Sequence, residues 1–224
     1  MTGFEAVLFD LDGTLCRRTQ DTRAMYELAF DRAGERPFGE PDELWNALEG
    51  PPDHDDPVGY FGAGFARLAA KHGRSGVDVL ALGRALSAVI DDRAVEFLPG
   101  AETALKRAAS TGPLGLVTNG PETRQRPKLD SLGITERFDV LVYGADLPRS
   151  KPHRAPFDRA LDALGVARTG TLYVGNSLAY DVAGAHNAGL SVAWLRDEAD
   201  VGAYEPEYVI DSPAELPAIL RGER

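Results

Sequence analysis

A chain of 224 residues, 43% apolar and with a formal net charge of −11, is long enough for one large domain or two small ones. The acidic balance excludes a general nucleic-acid binder, whose phosphate contacts need a basic surface. No apolar run is long enough to span a membrane, so no membrane partner is expected.

The elements read as follows in chain order. Residues 4–10 form a first strand, an apolar run ending in Asp10-Leu11-Asp12-Gly13. From Arg17 to Glu96 the periodicity is helical: Thr22–Arg32, Pro41–Leu48, Val58–Lys71 and Val77–Arg93, with Gly50-Pro51-Pro52 as a breaker. No strand is expected in this span, and the Gly/Pro-rich piece from Gly50 to Gly64 is expected to be a mobile loop. Pro99-Gly100 marks the return to a strand–helix alternation. Helices are predicted at 101–109, up to Leu132, at 155–164, 179–188 and 214–220. Strands are predicted at 115–118, 140–143, 171–174, 191–195 and 208–210. The alternation predicts an α/β fold with a mainly parallel, Rossmann-like sheet and helices on both faces. An all-helical cap is inserted after the first strand. The expected division is a core of residues 1–15 and 97–224 with a cap of 16–96.

Cys16 is the only cysteine, so no disulfide forms within the chain. The N-terminus does not read as a signal peptide, and a cytoplasmic protein is expected. Lysine occurs only at 71, 106, 128 and 151, and arginine supplies the other basic residues. Salt adaptation and a GC-rich genome account equally well for that bias.

Asp10 and Asp12 are two residues apart at the end of the first strand. In extended chain both carboxylates face the same side, and strand ends are where open α/β sheets bind ligands. Adjacent carboxylates stay ionised when a cation neutralises them, and Mg²⁺ shared with a substrate phosphate suits few protein carboxylates. Asp10 could then attack phosphorus, with Asp12 protonating the leaving oxygen and later deprotonating water. Two other strands also end in polar residues, at Thr118-Asn119-Gly120 and at Asn176 to Asp181. Thr118 offers a hydroxyl, and the Asn119 and Gly120 amides offer N–H groups to an anion. Lys151, beyond the third core strand, is a point charge suited to a phosphate.

These pieces together resemble the haloacid dehalogenase (HAD) superfamily, in its phosphatase-like branch with a helical cap. The motifs are Asp10-Leu11-Asp12-Gly13-Thr14, Thr118-Asn119-Gly120, Lys151-Pro152, and Gly175-Asn176-Ser177 through Asp181. The resemblance implies a Mg²⁺-dependent phosphomonoester hydrolase of a small phosphorylated metabolite, working through an aspartyl-phosphate. Alternatives on the same fold are a phosphoglucomutase-like phosphoryl transferase and a catalytically weak pseudo-phosphatase that binds. The implied catalytic residues are Asp10, Asp12 and Lys151. The implied phosphate-binding residues are Thr118, Asn119, Gly120 and Lys151. The implied metal ligands are Asp10, the Asp12 carbonyl, Asn176 and Asp181. The family's fourth motif has Asp directly after the Gly. Here Asn176 stands in that place, binding metal through a neutral oxygen, with Asp181 available to compensate. The insert is expected to act as a lid.

Among weaker candidates, Asp53-His54-Asp55-Asp56 reads as a solvated loop rather than a metal cluster. Tyr60, Phe61 and Phe65 read as cap core, and Cys16 as a small buried apolar residue.

Overall fold

The computed structural model describes residues 3–49, 52–196 and 202–223. The chain divides into two compact units, Met1–Arg18 with Val95–Arg224, and Thr19–Ala94.

The first unit is built on a parallel sheet of β1 (Ala6–Phe9), β4 (Leu114–Thr118), β5 (Val140–Tyr143), β6 (Thr171–Gly175), β7 (Ser191–Leu195) and β8 (Tyr208–Ile210). Its order is β5-β4-β1-β6-β7-β8, and each neighbouring pair is parallel. Alternation along β1 sends Val7 and Phe9 to one face and Leu8 to the other. Val7 and Phe9 share a core with α5 (Ala101–Ala109), α6 (Glu122–Leu132) and α9 (Leu216–Leu220) through Leu105, Leu129 and Ile219. Leu8 shares a core with α7 (Ala155–Leu164) and α8 (Ala183–Asn187) through Phe157 and Ala185. Both faces being covered explains why the strands read as continuous apolar runs. The register pairs Phe9 with Leu116 and Val174, which brings the carboxyl ends of β1, β4 and β6 to one sheet edge.

The second unit contains α1 (Thr22–Ala33), α2 (Pro41–Ala47), α3 (Pro57–Lys71) and α4 (Val79–Val89). Asp21, Asp56 and Asp78 accept the N–H of Ala24, Gly59 and Ala81, capping α1, α3 and α4. Met25, Phe30, Leu44, Phe65, Leu68 and Leu86 fill its core.

Three expectations need correction. Strands do occur at the margins of residues 17–96: β2 (Cys16–Arg18) pairs antiparallel with β3 (Val95–Phe97), fastened by an Arg17–Glu96 ion pair at 2.8 Å. Three residues are too short for a period-2 pattern to register. The stretch read as a mobile loop is helical from Pro57 onward. Its glycines serve packing: a Cβ on Gly64 would meet Leu48 Cδ2 at 2.6 Å. Asp53, in the acidic loop before it, accepts the N–H groups of Asp55 and Asp56. Gly50 and Pro51 of the breaker lie outside the described residues. Finally, the helix expected at 179–188 opens with a wider π-helical turn, Leu178–Val182, which carries Asp181.

Candidate active site

Asp10 follows β1 directly, and its N–H bonds the Val174 carbonyl at 2.9 Å, tying the β1 end to β6. It is only 8% exposed. Lys151 Nζ donates to Asp10 Oδ1 at 2.8 Å, to Asp181 Oδ1 at 2.7 Å and to Tyr173 Oη at 2.9 Å. An ammonium has three protons, so all of them are engaged by these acceptors. The Tyr173 hydroxyl lies 2.8 Å from Asp181 Oδ1 and 3.2 Å from the Val117 carbonyl.

Burial pushes the Asp10 carboxyl up to about 7, with Lys151 pulling the other way and Asp181 adding to the rise. Burial also works against charge on Lys151, yet the carboxylates of Asp10 and Asp181 outweigh it and hold the amine above its ordinary range. We take the ammonium as the fixed charge, because two acidic groups face it, and Asp10 as the group that titrates.

Asn119 grips the backbone of Lys151. Its Nδ2 donates to the Lys151 carbonyl at 3.0 Å, and its Oδ1 accepts the Lys151 N–H at 2.8 Å. Its side chain is thus committed to placing the lysine, and the expectation for its backbone amide is untouched by this. Asp181, expected among the metal ligands, is likewise committed: Oδ1 takes Lys151 and Tyr173, and Oδ2 accepts the Ser177 N–H at 2.9 Å. A side chain 1% exposed and filled by three donors is an anchor for Lys151.

Asp12 has separate partners. Lys128 Nζ reaches its Oδ1 at 2.8 Å and Oδ2 at 2.7 Å, and Gln125 Nε2 donates to Oδ2 at 3.0 Å. Gln125 Nε2 also donates to Thr118 Oγ1 at 2.8 Å. Gly120 packs against the Gln125 side chain so closely that a Cβ would come within 2.4 Å of Nε2. Gln125, Lys128 and Tyr173 were not among the sequence candidates. The available signal was the lysine itself, one of four in a chain that otherwise uses arginine.

Asn176 sits against the loop after β1. Gly13 adopts φ +75°, and a Cβ there would meet Asn176 Nδ2 at 2.6 Å. Thr14 Oγ1 lies 3.3 Å from Asn176 Oδ1. Among the described residues no group of three or more His, Cys, Asp or Glu is arranged to hold a metal. The candidate donors are instead the Asp10 carboxylate, the Asp12 carbonyl and the Asn176 amide oxygen. All are hard oxygens with one charge among them, a set that fits Mg²⁺ with modest affinity. Cys16 is fully buried, and burial pushes its thiol up to about 12, away from the thiolate form that a nucleophile needs.

Residues 4–189 match the haloacid dehalogenase-like hydrolases. The chain is 30% identical to Pyrophosphatase PpaX of Halalkalibacterium halodurans over 94% of each protein. It is 32% identical to Pyrimidine 5'-nucleotidase YjjG of Escherichia coli, over 55% of this chain and 56% of that one, so this match spans about half of each. Its fold is similar to that of the HAD-hydrolase YfnB of Bacillus subtilis in a magnesium-bound structure. The TM-score is 0.73 at 24% identity, covering 98% and 99% of the two chains. With the two aspartates, the paired lysine and the cap-bearing α/β fold in place, the chain belongs to the haloacid dehalogenase-like hydrolases, among relatives that are phosphatases.

Proposed function

We propose that the protein hydrolyses a small phosphorylated metabolite, with Asp10 as nucleophile and Asp12 as acid/base. The observation that carries this reading is the division of labour at the β1 end. Lys151 occupies Oδ1 of a buried Asp10, leaving Oδ2 to attack, while the Asp12 side chain is 48% exposed on a separate ammonium.

In the first step Asp10 Oδ2 forms a bond to phosphorus and the bond to the leaving oxygen breaks, with Asp12 giving that oxygen a proton. In the second, Asp12 takes a proton from water, whose oxygen attacks phosphorus. Inorganic phosphate leaves and the Asp10 carboxylate is restored. Lys151 holds Asp10 in place and offsets its charge. Thr118, with the Asn119 and Gly120 amides, binds the phosphoryl oxygens. Asp10, the Asp12 carbonyl and Asn176 would hold Mg²⁺, which offsets the repulsion between nucleophile and phosphate. Residues 1–15 and 97–224 form the catalytic core in this reading, and residues 16–96 select the substrate.

The test is phosphate release from p-nitrophenyl phosphate and a panel of phosphorylated metabolites, with and without Mg²⁺. A wild-type protein that gains one phosphoryl group by mass during turnover, at Asp10, supports the mechanism. A gain retained in Asp10→Asn would sink it.

A further inference from the structure

We propose that Gln125 and Lys128 form a positioning pair that fixes the Asp12 carboxylate and turns the Thr118 hydroxyl toward the phosphoryl group. The proposal rests on the reading of Asp12 as acid/base. Residues three apart on a helix are neighbours, so α6 presents both side chains together at the strand edge. Between them they place three N–H bonds on one carboxylate, two from Lys128 and one from Gln125. The donors are sealed in, at 3% exposed for Gln125 and 6% for Lys128, while half of the Asp12 side chain meets solvent. A carboxylate has about four acceptor sites, and with one bond on Oδ1 and two on Oδ2 the remaining site on Oδ1 is where the transferred proton can sit.

The Gln125 amide has two protons, and both are committed, one to Asp12 and one to Thr118 Oγ1. Thr118 accepts in that bond, so its own proton is left to donate, and a phosphoryl oxygen is a matching acceptor. The same placement leaves Gln125 Oε1 buried without a hydrogen-bond partner. Turning the amide over would set that oxygen against the Asp12 carboxylate. A buried orphan is costly, and here it follows from directing both N–H groups at Asp12 and Thr118. The choice of lysine has a reason too. A compact ammonium on a flexible stem fits a closed slot beneath one carboxylate, where a planar guanidinium needs more width.

The experiment compares an alkyl phosphate with p-nitrophenyl phosphate, whose leaving oxygen needs little protonation. Lys128→Met should lower kcat on the alkyl phosphate about 10- to 100-fold and on the aryl phosphate less than about threefold, with KM nearly unchanged. In an Asp12→Asn background it should add nothing further. Gln125→Met should show the same leaving-group bias and also weaken inorganic phosphate binding about fivefold by calorimetry, through Thr118. This second variant carries the test if Lys128→Met does not fold. Equal losses on both substrates, or losses that add to those of Asp12→Asn, would overturn the proposal while leaving the phosphatase reading intact. A wild-type protein that releases phosphate from neither substrate would overturn both.

Discussion

The two units bury different chemistry. Among the described residues the buried polar and charged side chains are Asp10, Thr14, Thr118, Gln125, Lys128, Thr135, Lys151, Thr171 and Asp181, and none lies between Thr19 and Ala94. The helical unit is held instead by an aromatic knot: Phe30 meets Tyr26, Phe38 and Phe65 edge to face at 4.9, 5.1 and 5.6 Å. Burying a charge requires a partner and costs desolvation even then. Among the described residues the chain accepts that cost at one sheet edge and nowhere in the helical unit. Buried charge thus gathers at the candidate site, and apolar burial marks packing.

The sharpest way to break this contrast is Asp10→Asn. It keeps shape and removes the proposed nucleophile, so turnover should fall by roughly 10⁴-fold with the fold intact by circular dichroism. Near wild-type turnover would end the distinction. Phe65→Ala tests the other side. It opens a cavity in the helical core and should destabilise by about 3–4 kcal/mol in a denaturant titration. A loss under about 1 kcal/mol would mean that the knot does not carry the unit. Asn176→Asp sharpens the site: a restored carboxylate should lower the Mg²⁺ needed for half-maximal activity about tenfold. An unchanged or higher requirement in a Mg²⁺ titration would refute the role of Asn176.

The smallest effect concerns pH. Burial raises Asp10 from 3.8 to about 7, so the folded state prefers the protonated carboxyl. That preference stabilises fully below the ordinary carboxylate range and is lost as pH rises through about 7. In chelator, the stability of Asp10→Asn relative to wild type should therefore rise from pH 5 to pH 8 in denaturant titrations. A gap that widened toward low pH would reverse the sign and reject the assignment.

The core strands were readable because sheets covered on both faces leave uninterrupted apolar runs, as in Leu114–Thr118 and Ser191–Leu195. Asp10 and Lys151 were readable as members of ordered motifs. Their partners were not. Tyr173 lies inside an apolar run, and nothing in Thr171-Leu172-Tyr173-Val174 shows that its hydroxyl reaches an ammonium. Gln125 and Lys128 lie on a helix so polar that its inward face resembles a solvated one. Asp181 was found but assigned to the metal, and the Asn119 side chain was given no role, because sequence order does not reveal that both act on Lys151. The glycines before Lys71 read as flexibility, whereas at Gly64 the small residue admits Leu48.

The scarcity of lysine has a practical consequence for labelling. Of the four, Lys128 and Lys151 are closed off at the sheet edge, while Lys71 and Lys106 are exposed. Lys71 belongs to the helical unit and Lys106 to the α/β unit, so amine-selective acylation places one side-chain tag on each. Acylation with a mixture of donor and acceptor dyes would give a population whose energy transfer reports the distance between the two units, with no engineered cysteine and both sheet-edge ammoniums untouched.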